Sequence, residues 1–384
     1  MRIAIVVHDV GKQRGHDRYA AELATALAAR HDVHVFAHSC SDIDMECITY
    51  HHVRAIIWPD ILKMITFLIS TLWMLRKHSF DIVHSQGASS LIHNISTAHF
   101  SQAAWKRVYQ TMEHDDVGRY RQWYHRLVMA LMARLEKYIF NRSLSVIALS
   151  DQVKRDMVDY YGVSPNRVHT VYNGVNIEEF RPSNIEKYRE SLRNELGIDK
   201  DVFVLVFVGE FKRKGLRFVI EALSLLSEPQ NTKLVVVQGG DASRFEALAV
   251  ELQVRDSVLF VGHRNDVARF YAMSDVVVFP TLYEPFGFTI TEAMATAIPV
   301  ITSVNAGAAE LIHDGVDGLL LSDPRDAADI SKKLERLRES HELRRKIGLN
   351  GRACVEKLSW RKFAGQVEDI YERAQSHGRS KSPS

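Results

Sequence analysis

The chain has 384 residues, 46% hydrophobic and 25% charged, with 49 Lys and Arg against 47 Asp and Glu for a formal net charge of +2. That length exceeds one ordinary core and suits two domains, and the composition is that of a soluble globular protein. The near balance of charge excludes a molecule that binds polyanions with its whole surface, so no nucleic-acid partner is implied and any basic patch has to be local.

The run Met1 to Val7 is apolar but stops at His8-Asp9, before the core or cleavage site of a signal peptide could form. It reads as the first strand, Ile3 to Val7. The loop that follows, Gly11-Lys-Gln-Arg14-Gly15-His16-Asp17-Arg18, precedes a helix expected from about Asp17 to Arg30. It is not a strict dinucleotide fingerprint, and Arg18 reads equally as a surface helix residue. Next come Val33 to Ala37 and Val53 to Trp58 as strands. Asp42-Ile-Asp44 has the form of a divalent-metal motif, yet such a tripeptide is common by chance and is assigned to a solvated loop, so no metal is expected. Ile61 to Leu75 contains Lys63 and is short of the ~20 residues that span a bilayer. It is expected to be a buried or interfacial helix.

Further strands are expected at Asp81 to His84, Ile95 to Ala98, Leu144 to Leu149 and Val168 to Tyr172, with helices from about Gly118 to Asn141 and from Asp151. Strands alternating with helices mean parallel βαβ units. His84 ends a strand with no role assigned. Trp105-Lys-Arg107 through Arg119, Arg121, Trp123, Tyr124, Arg126, Arg134, Lys137 and Arg142 mixes cations and aromatics around an apolar stripe. It reads either as a face for an anionic membrane or as an ordinary amphipathic helix whose charge is diluted by Glu113, Asp115, Asp116 and Glu136.

Asn173-Gly174 punctuates the chain. After a polar connector, Asn176 to about Lys200, the pattern restarts with Phe203 to Val208, a helix after Gly215, Lys233 to Val237, a helix from Ala242, Val258 to Val261 and a strand from Asp275 to Pro280. The restart indicates a second doubly wound domain. Charged helical sequence runs from Asp323 to about Leu358 and a last helix from Trp360. The expected domains are 1–175 with the helix 360–376, and 176–359, leaving 377–384 as a polar, disordered tail. Cys40, Cys47 and Cys354 show no metal-ligand spacing and no disulfide framework, so reduced thiols in a cytoplasm are expected.

Chemistry concentrates after two strands of the second half. Glu284 lies in the loop that follows the strand at 275, and Glu292 lies eight positions on, inside the next helix. In an open parallel sheet, ligands bind at the carboxyl ends of the strands. Gly287 lets backbone amides approach a ligand, and the helix N-terminus favours an anion. Val206-Phe-Val-Gly209-Glu-Phe-Lys212-Arg213-Lys214-Gly215 places three cations and two glycines at another such edge, suited to a diphosphate whose charge grows as it leaves. Carboxylates to accept sugar hydroxyls beside cations for a diphosphate suggest a nucleotide-sugar site.

The segment Glu284-Pro-Phe-Gly-Phe-Thr-Ile-Thr-Glu292-Ala-Met-Ala-Thr-Ala-Ile-Pro-Val300, followed by Asn305-Ala-Gly-Ala-Ala-Glu310, resembles the Glu-x7-Glu signature of the retaining glycosyltransferases of family 4. The resemblance implies an α/β GT-B fold: two Rossmann-like domains facing across a cleft, with the C-terminal helix crossing back to the first. It implies Arg213 and Lys214 on the diphosphate, Glu292 on the ribose, Glu284 on a sugar hydroxyl, and the amides of Phe286 to Phe288, with Pro285 and Gly287, near phosphate and sugar. Gly209 would border the diphosphate and backbone near His263 and Arg264 would hold the base. In the first domain Gly15 and His99 would line the donor side and Asp17 would contact the acceptor. Where many members carry arginine directly after the glycine, this chain has Glu210. The Gly-x-Phe-Lys-Arg-Lys-Gly form, Ser243 to Ala249 and Gly262-His-Arg-Asn-Asp266 look most like the lipopolysaccharide-core glucosyltransferase branch.

The implied reaction moves a hexose from a nucleotide diphosphate to a hydroxyl of a glycan or lipid-linked acceptor in envelope polysaccharide or lipopolysaccharide synthesis. Configuration is retained, and neither metal nor other cofactor is needed. UDP-glucose is the first expectation, ahead of GDP-mannose and UDP-N-acetylglucosamine. The location implied is the cytoplasm, with peripheral contact to the inner face of an anionic membrane. A GT-B epimerase, a carbohydrate phosphorylase and a silent sugar-nucleotide module are the alternatives; the first would turn over UDP-sugar without acceptor.

Overall fold

The computed structural model describes residues 1–11, 15–41, 43, 46–112 and 118–379, without the side chains of 15, 16 and 377–379. The chain forms two units: Met1–Gly174 with the C-terminal segment from Trp360, and Val175–Ser359.

In the first unit the strands are β1 (Arg2–Val6), β2 (Asp9–Val10), β3 (Asp32–Ala37), β4 (Ser39–Cys40), β5 (Ile48–His52), β6 (Ile82–Gln86), β7 (Ile95–Ala98), β8 (Ser145–Ala148) and β9 (Val168–Thr170). Seven of them make a parallel sheet in the order β5-β3-β1-β6-β7-β8-β9, while β2 and β4 pair separately. The central strands are near-continuous apolar runs because helices cover both faces; Ile3, Ala4, Ile5 and Val6 are fully buried. The chain winds outward from β1 to β5, then returns to the other side of β1, making a switch point between β1 and β6.

The strand expected at Val53 to Trp58 is a correction. The edge strand is β5, with the sequence Ile-Thr-Tyr-His-His, and an edge tolerates such half-polar sequence because only one side is paired. Residues 53–58 instead run beside the helix Asp60–Leu75. There Thr66 Oγ1 accepts from the Ile56 amide at 3.0 Å and Ser70 Oγ donates to the Arg54 carbonyl at 2.7 Å.

The last helix, Trp360–Arg379, belongs to the first unit. It buries Phe363, Val367 and Tyr371, and its Glu368 meets His31 at 2.6 Å and also Arg30. A side chain on Gly174 would meet the Trp360 backbone at 2.5 Å, so glycine is required at that approach. The helix runs three residues beyond 376, into the stretch expected to be disordered; 380–384 lie outside the described residues.

The second unit carries β10 (Phe203–Val208), β11 (Thr232–Val237), β12 (Val258–Gly262), β13 (Val276–Phe279), β14 (Val300–Ser303) and β15 (Leu319–Leu321), parallel in the order β12-β11-β10-β13-β14-β15. Winding reverses at β10, so β10 and β13 flank the switch point. The polar connector expected at 176–200 contains a helix, Ser183–Glu195. Its Arg189 and Arg193 converge on Asp275 at 2.5 and 2.8 Å, and the same carboxylate accepts the Val204 amide at 2.8 Å. Asp275 is therefore a buried ion-pair centre at the amino end of β13 and lies outside the strand proper. Removing one partner of such a pair costs about 3–5 kcal/mol, because the other charge is left buried.

Candidate active site

At the carboxyl ends of β10 and β13 the two loops are stitched together. The Leu282 amide donates to the Arg213 carbonyl at 2.8 Å, and Thr281 Oγ1 donates to the same oxygen at 3.2 Å. The Arg213 guanidinium crosses in the other direction, donating to the Tyr283 carbonyl at 2.8 Å and to Glu284 Oε2 at 2.9 Å. The loop after β14 completes the edge: Glu284 N donates to the Asn305 carbonyl at 3.0 Å, and the amides of Gly307 and Ala308 donate to the carbonyls of Glu284 and Phe286 at 2.8 and 2.7 Å.

Glu210, the departure from the family pattern, has a structural role. Its carboxylate accepts the amides of Lys212 and Arg213 at 3.0 and 2.7 Å and so shapes the cationic turn. Lys214 folds back over Gly209, whose φ of +119° and missing Cβ leave the room: a methyl there would overlap the lysine side chain. Its Nζ lies 3.4 Å from the Val208 carbonyl and 4.8 Å from the centre of the Phe279 ring. Burial lowers the Lys214 pKa; the charge of Glu284 pushes it up, Arg213 down, and Glu210 and Glu292 up. An ammonium with so little water gains most when an anion arrives.

Gly287, at φ +105°, caps the helix Phe288–Ala295, and a Cβ there would sit 3.1 Å from Ile290. Phe286 is buried, with Phe288 at 5.5 Å in an edge-on pair, and Pro285 is buried beside them. Glu292, in the second turn of that helix, accepts from the Tyr271 hydroxyl at 3.0 Å. His263 is exposed after β12, and Gly239 allows its close approach, since a Cβ there would lie 3.3 Å from His263 Cβ. The Arg264 guanidinium forms a two-pronged pair with Asp266, 2.9 Å for each contact, and stands 5.2 Å over Phe270. That side chain fixes its own loop, leaving backbone as what the loop can offer.

In the first unit His99 follows β7. Its Nε2 pairs with Gln86 Oε1 at 2.7 Å, and the Tyr19 ring meets its ring edge-on at 4.5 Å. Behind it runs a buried chain of neutral groups: the Tyr371 hydroxyl to His84 Nδ1 at 2.6 Å, His84 Nε2 to Thr97 Oγ1 at 2.7 Å, and Thr97 to the Tyr19 hydroxyl at 2.9 Å. Burial pushes the His84 pKa down to about 3, so its ring stays neutral. Gly15 opens the helix Gly15–Ala28, Asp17 is half-buried in its first turn, and Arg18, for which the sequence leaves a surface position as one of two equal readings, is buried 3.9 Å from Glu22.

The second unit thus brings together Gly209, Arg213, Lys214, Glu284, Pro285 to Phe288 and Glu292, with His263 and Arg264 on a strand end of the same sheet. Sequence reasoning missed Tyr271, Gly239, Gln86, Tyr19 and Tyr371, none of which stands in a local motif. Asp42 and Asp44 lie outside the described residues, as do Glu113, Asp115 and Asp116. Among the described residues no group of three or more His, Cys, Asp or Glu could hold a metal. Glu136, expected to dilute a surface charge, is buried: it accepts from the Tyr161 hydroxyl and from the Gln102 amide at 3.0 Å, and burial raises its pKa to about 8.

Comparison with known proteins decides the family. The model for glycosyl transferases group 1 matches residues 188–353, and that for glycosyltransferase family 4 matches residues 14–179. The chain belongs to the family 4, group 1 glycosyltransferases. It is 28% identical over 336 residues to an uncharacterised glycosyltransferase of Methanocaldococcus jannaschii, covering 85% of each chain. It is 31% identical over 232 residues to the lipopolysaccharide glucosyltransferase WaaG of Escherichia coli, covering 60% of this chain and 62% of WaaG. Among solved structures, WaaG superposes with a TM-score of 0.81 at 24% identity, over 96% of this chain and 99% of WaaG. HepE of Anabaena, solved with UDP-glucose, superposes at 0.74 and 18%, over 97% and 100%. At these identities the structures establish the fold, GT-B with two Rossmann-like parallel sheets.

Proposed function

We propose that this glycosyltransferase takes UDP-glucose as donor and transfers glucose, with retention of configuration, to a hydroxyl of a glycan or lipid-linked acceptor in envelope polysaccharide or lipopolysaccharide synthesis. The observation that carries the reading is the convergence of Arg213 and Lys214 with Glu284 at the β10/β13 switch point. WaaG, a lipopolysaccharide glucosyltransferase, and HepE with its bound UDP-glucose support the choice of donor and pathway.

In this reading Lys214 and Arg213 neutralise the diphosphate as the glycosidic bond breaks. Glu284 Oε2 faces Arg213, and a sugar hydroxyl donates to the other oxygen. Glu292 accepts from the ribose, Gly209 and the amides of Phe286 to Phe288 border the phosphates and sugar, and backbone at His263 and Arg264 meets the base. His99, held by Gln86, contacts the sugar, and Asp17 the acceptor. The acceptor oxygen attacks the anomeric carbon on the face that the diphosphate leaves, and a departing phosphate oxygen takes the acceptor proton. Two fixed cations make a divalent ion unnecessary for this step. UDP-sugar as donor fits a cytoplasmic enzyme.

A thermal-shift screen against UDP, GDP, ADP and their glucose, mannose and N-acetylglucosamine conjugates in EDTA tests the reading. Selective stabilisation by UDP and UDP-glucose is expected. Selective response to GDP-mannose would replace the donor, and UDP release from UDP-glucose without acceptor would point to an epimerase.

A further inference from the structure

The loop after β12 and the carboxylate of Glu292 stand on different elements, and the helix Val267–Met273 joins them. Three consecutive residues of that helix make the connection. The Arg269 guanidinium donates to Asp266 at 3.0 Å and to Glu195, at the end of the helix Ser183–Glu195, at 2.9 Å. The Phe270 ring lies 5.2 Å from the Arg264 guanidinium. Tyr271 reaches the helix Phe288–Ala295 and donates its hydroxyl to Glu292 Oε2 at 3.0 Å. The first two fix the 263–266 loop and the third holds the carboxylate, so one short helix sets the spacing between them.

The two ends of the Tyr271 bond differ in freedom. The tyrosine is fully buried, with the Phe180 ring 5.8 Å away, so its hydroxyl is a fixed donor. Glu292 is half-buried, and a glutamate side chain loses much rotamer freedom when it is held. Its charge also acts on Lys214, so a carboxylate without a fixed donor would be drawn toward that ammonium. A bond from a packed hydroxyl orders the carboxylate before a ligand arrives and removes that cost from binding. An ionised carboxylate offers about four lone-pair sites, so accepting from Tyr271 does not exhaust it. Phenylalanine would fill the same space as Tyr271; the hydroxyl is what reaches Glu292.

We propose that Tyr271 is a positioning residue for ribose recognition, holding the Glu292 carboxylate where a ribose hydroxyl of the donor nucleotide donates to it. The inference rests on the reading of Glu292 as the ribose contact. Because Arg269 and Phe270 hold the loop at 263–266, the same helix keeps the base and ribose contacts in register.

The test is calorimetric titration of UDP, 2′-deoxy-UDP, 3′-deoxy-UDP and pyrophosphate into the full chain, as wild type, Tyr271→Phe and Glu292→Gln, with unfolding temperature as the folding control. The wild type is expected to bind UDP at least about tenfold tighter than at least one of the two deoxy nucleotides, the scale of one hydrogen bond to a charged acceptor. Glu292→Gln should remove most of that preference. Tyr271→Phe should reduce it at least about threefold while leaving the affinity for pyrophosphate unchanged, a split that a merely structural role would not produce. The proposal is overturned if Tyr271→Phe keeps the wild-type preference while Glu292→Gln loses it, or if Tyr271→Phe weakens all four ligands alike. A wild type that binds no UDP or shows no preference for the intact ribose, or a Glu292→Gln chain that keeps the preference, would remove the ribose reading itself and the inference with it.

Discussion

The carboxyl ends of the two sheets share a parallel architecture and differ in chemistry. At β10 and β13 the side chains are charged, with Arg213 on Glu284 and a half-buried Lys214 under the influence of three carboxylates. At β6 and β7 they are neutral, with His99 on Gln86 and a chain from Thr97 through His84 to Tyr371 behind it. The difference teaches how each edge is stabilised. Charges in the second unit are held by partner charges, whereas the first unit holds an imidazole in place with groups that need no counter-ion.

Changing Lys214 tests the charged edge most severely. Lys214→Ala should reduce turnover roughly 10²–10³-fold, the scale for losing one group that stabilises developing charge, while leaving the unfolding temperature equal or higher because a desolvated cation is gone. Unchanged turnover in a steady-state assay would remove the diphosphate assignment.

In the first unit the neutral state of a buried acid can be broken at Glu136, whose carboxyl rises from 4.5 in the free state to about 8 when folded. Between those values the folded chain keeps a proton that the unfolded chain releases, so stability falls as pH rises from 4.5 to about 8 and then levels. Glu136→Gln should flatten that slope, leaving the variant more stable at high pH by something on the order of a few kcal/mol. Denaturant titrations at several pH values would show parallel curves if Glu136 is not responsible.

Glu284→Ala sharpens the division of labour within the charged edge. It should weaken UDP-glucose about tenfold, as for one lost hydrogen bond to a charged acceptor, with a smaller effect on UDP; equal losses in calorimetric titration would contradict its place on the sugar. The smallest effect is expected for Tyr371→Phe, which removes the bond to His84. It should cost about 1 kcal/mol of stability and lower kcat a few-fold through His99, with UDP affinity intact. A shifted UDP affinity would show that Tyr371 acts on more than His84.

The charged edge was legible in the sequence because each of its parts stands directly after a strand, within a few residues of a glycine that marks a special backbone conformation: Gly209 before Lys214, Gly287 before Glu292. The neutral chain was not, since Tyr371 and His84 lie 287 positions apart and no local pattern joins them. The same reason hid the helix Ser183–Glu195, whose polar sequence reads as connector until Arg193 finds Asp275 82 positions away. β14 and β15 were not expected, and their four and three residues are no shorter than β7, β8, β9 and β13, so length alone does not explain why they went unread. The apolar run Val53 to Trp58 misled for a physical reason of its own: hydrophobic residues usually mark a strand or core, and here Ile57 and Trp58 face outward.

The most direct test of the charged edge is calorimetric titration of UDP into the wild-type chain and Lys214→Ala, both in EDTA. Binding to the wild type without metal, weakened at least about tenfold in the variant, is the predicted result. Equal affinity for the two, or wild-type binding that appears only when a divalent ion is restored, would contradict the assignment of the diphosphate to Arg213 and Lys214.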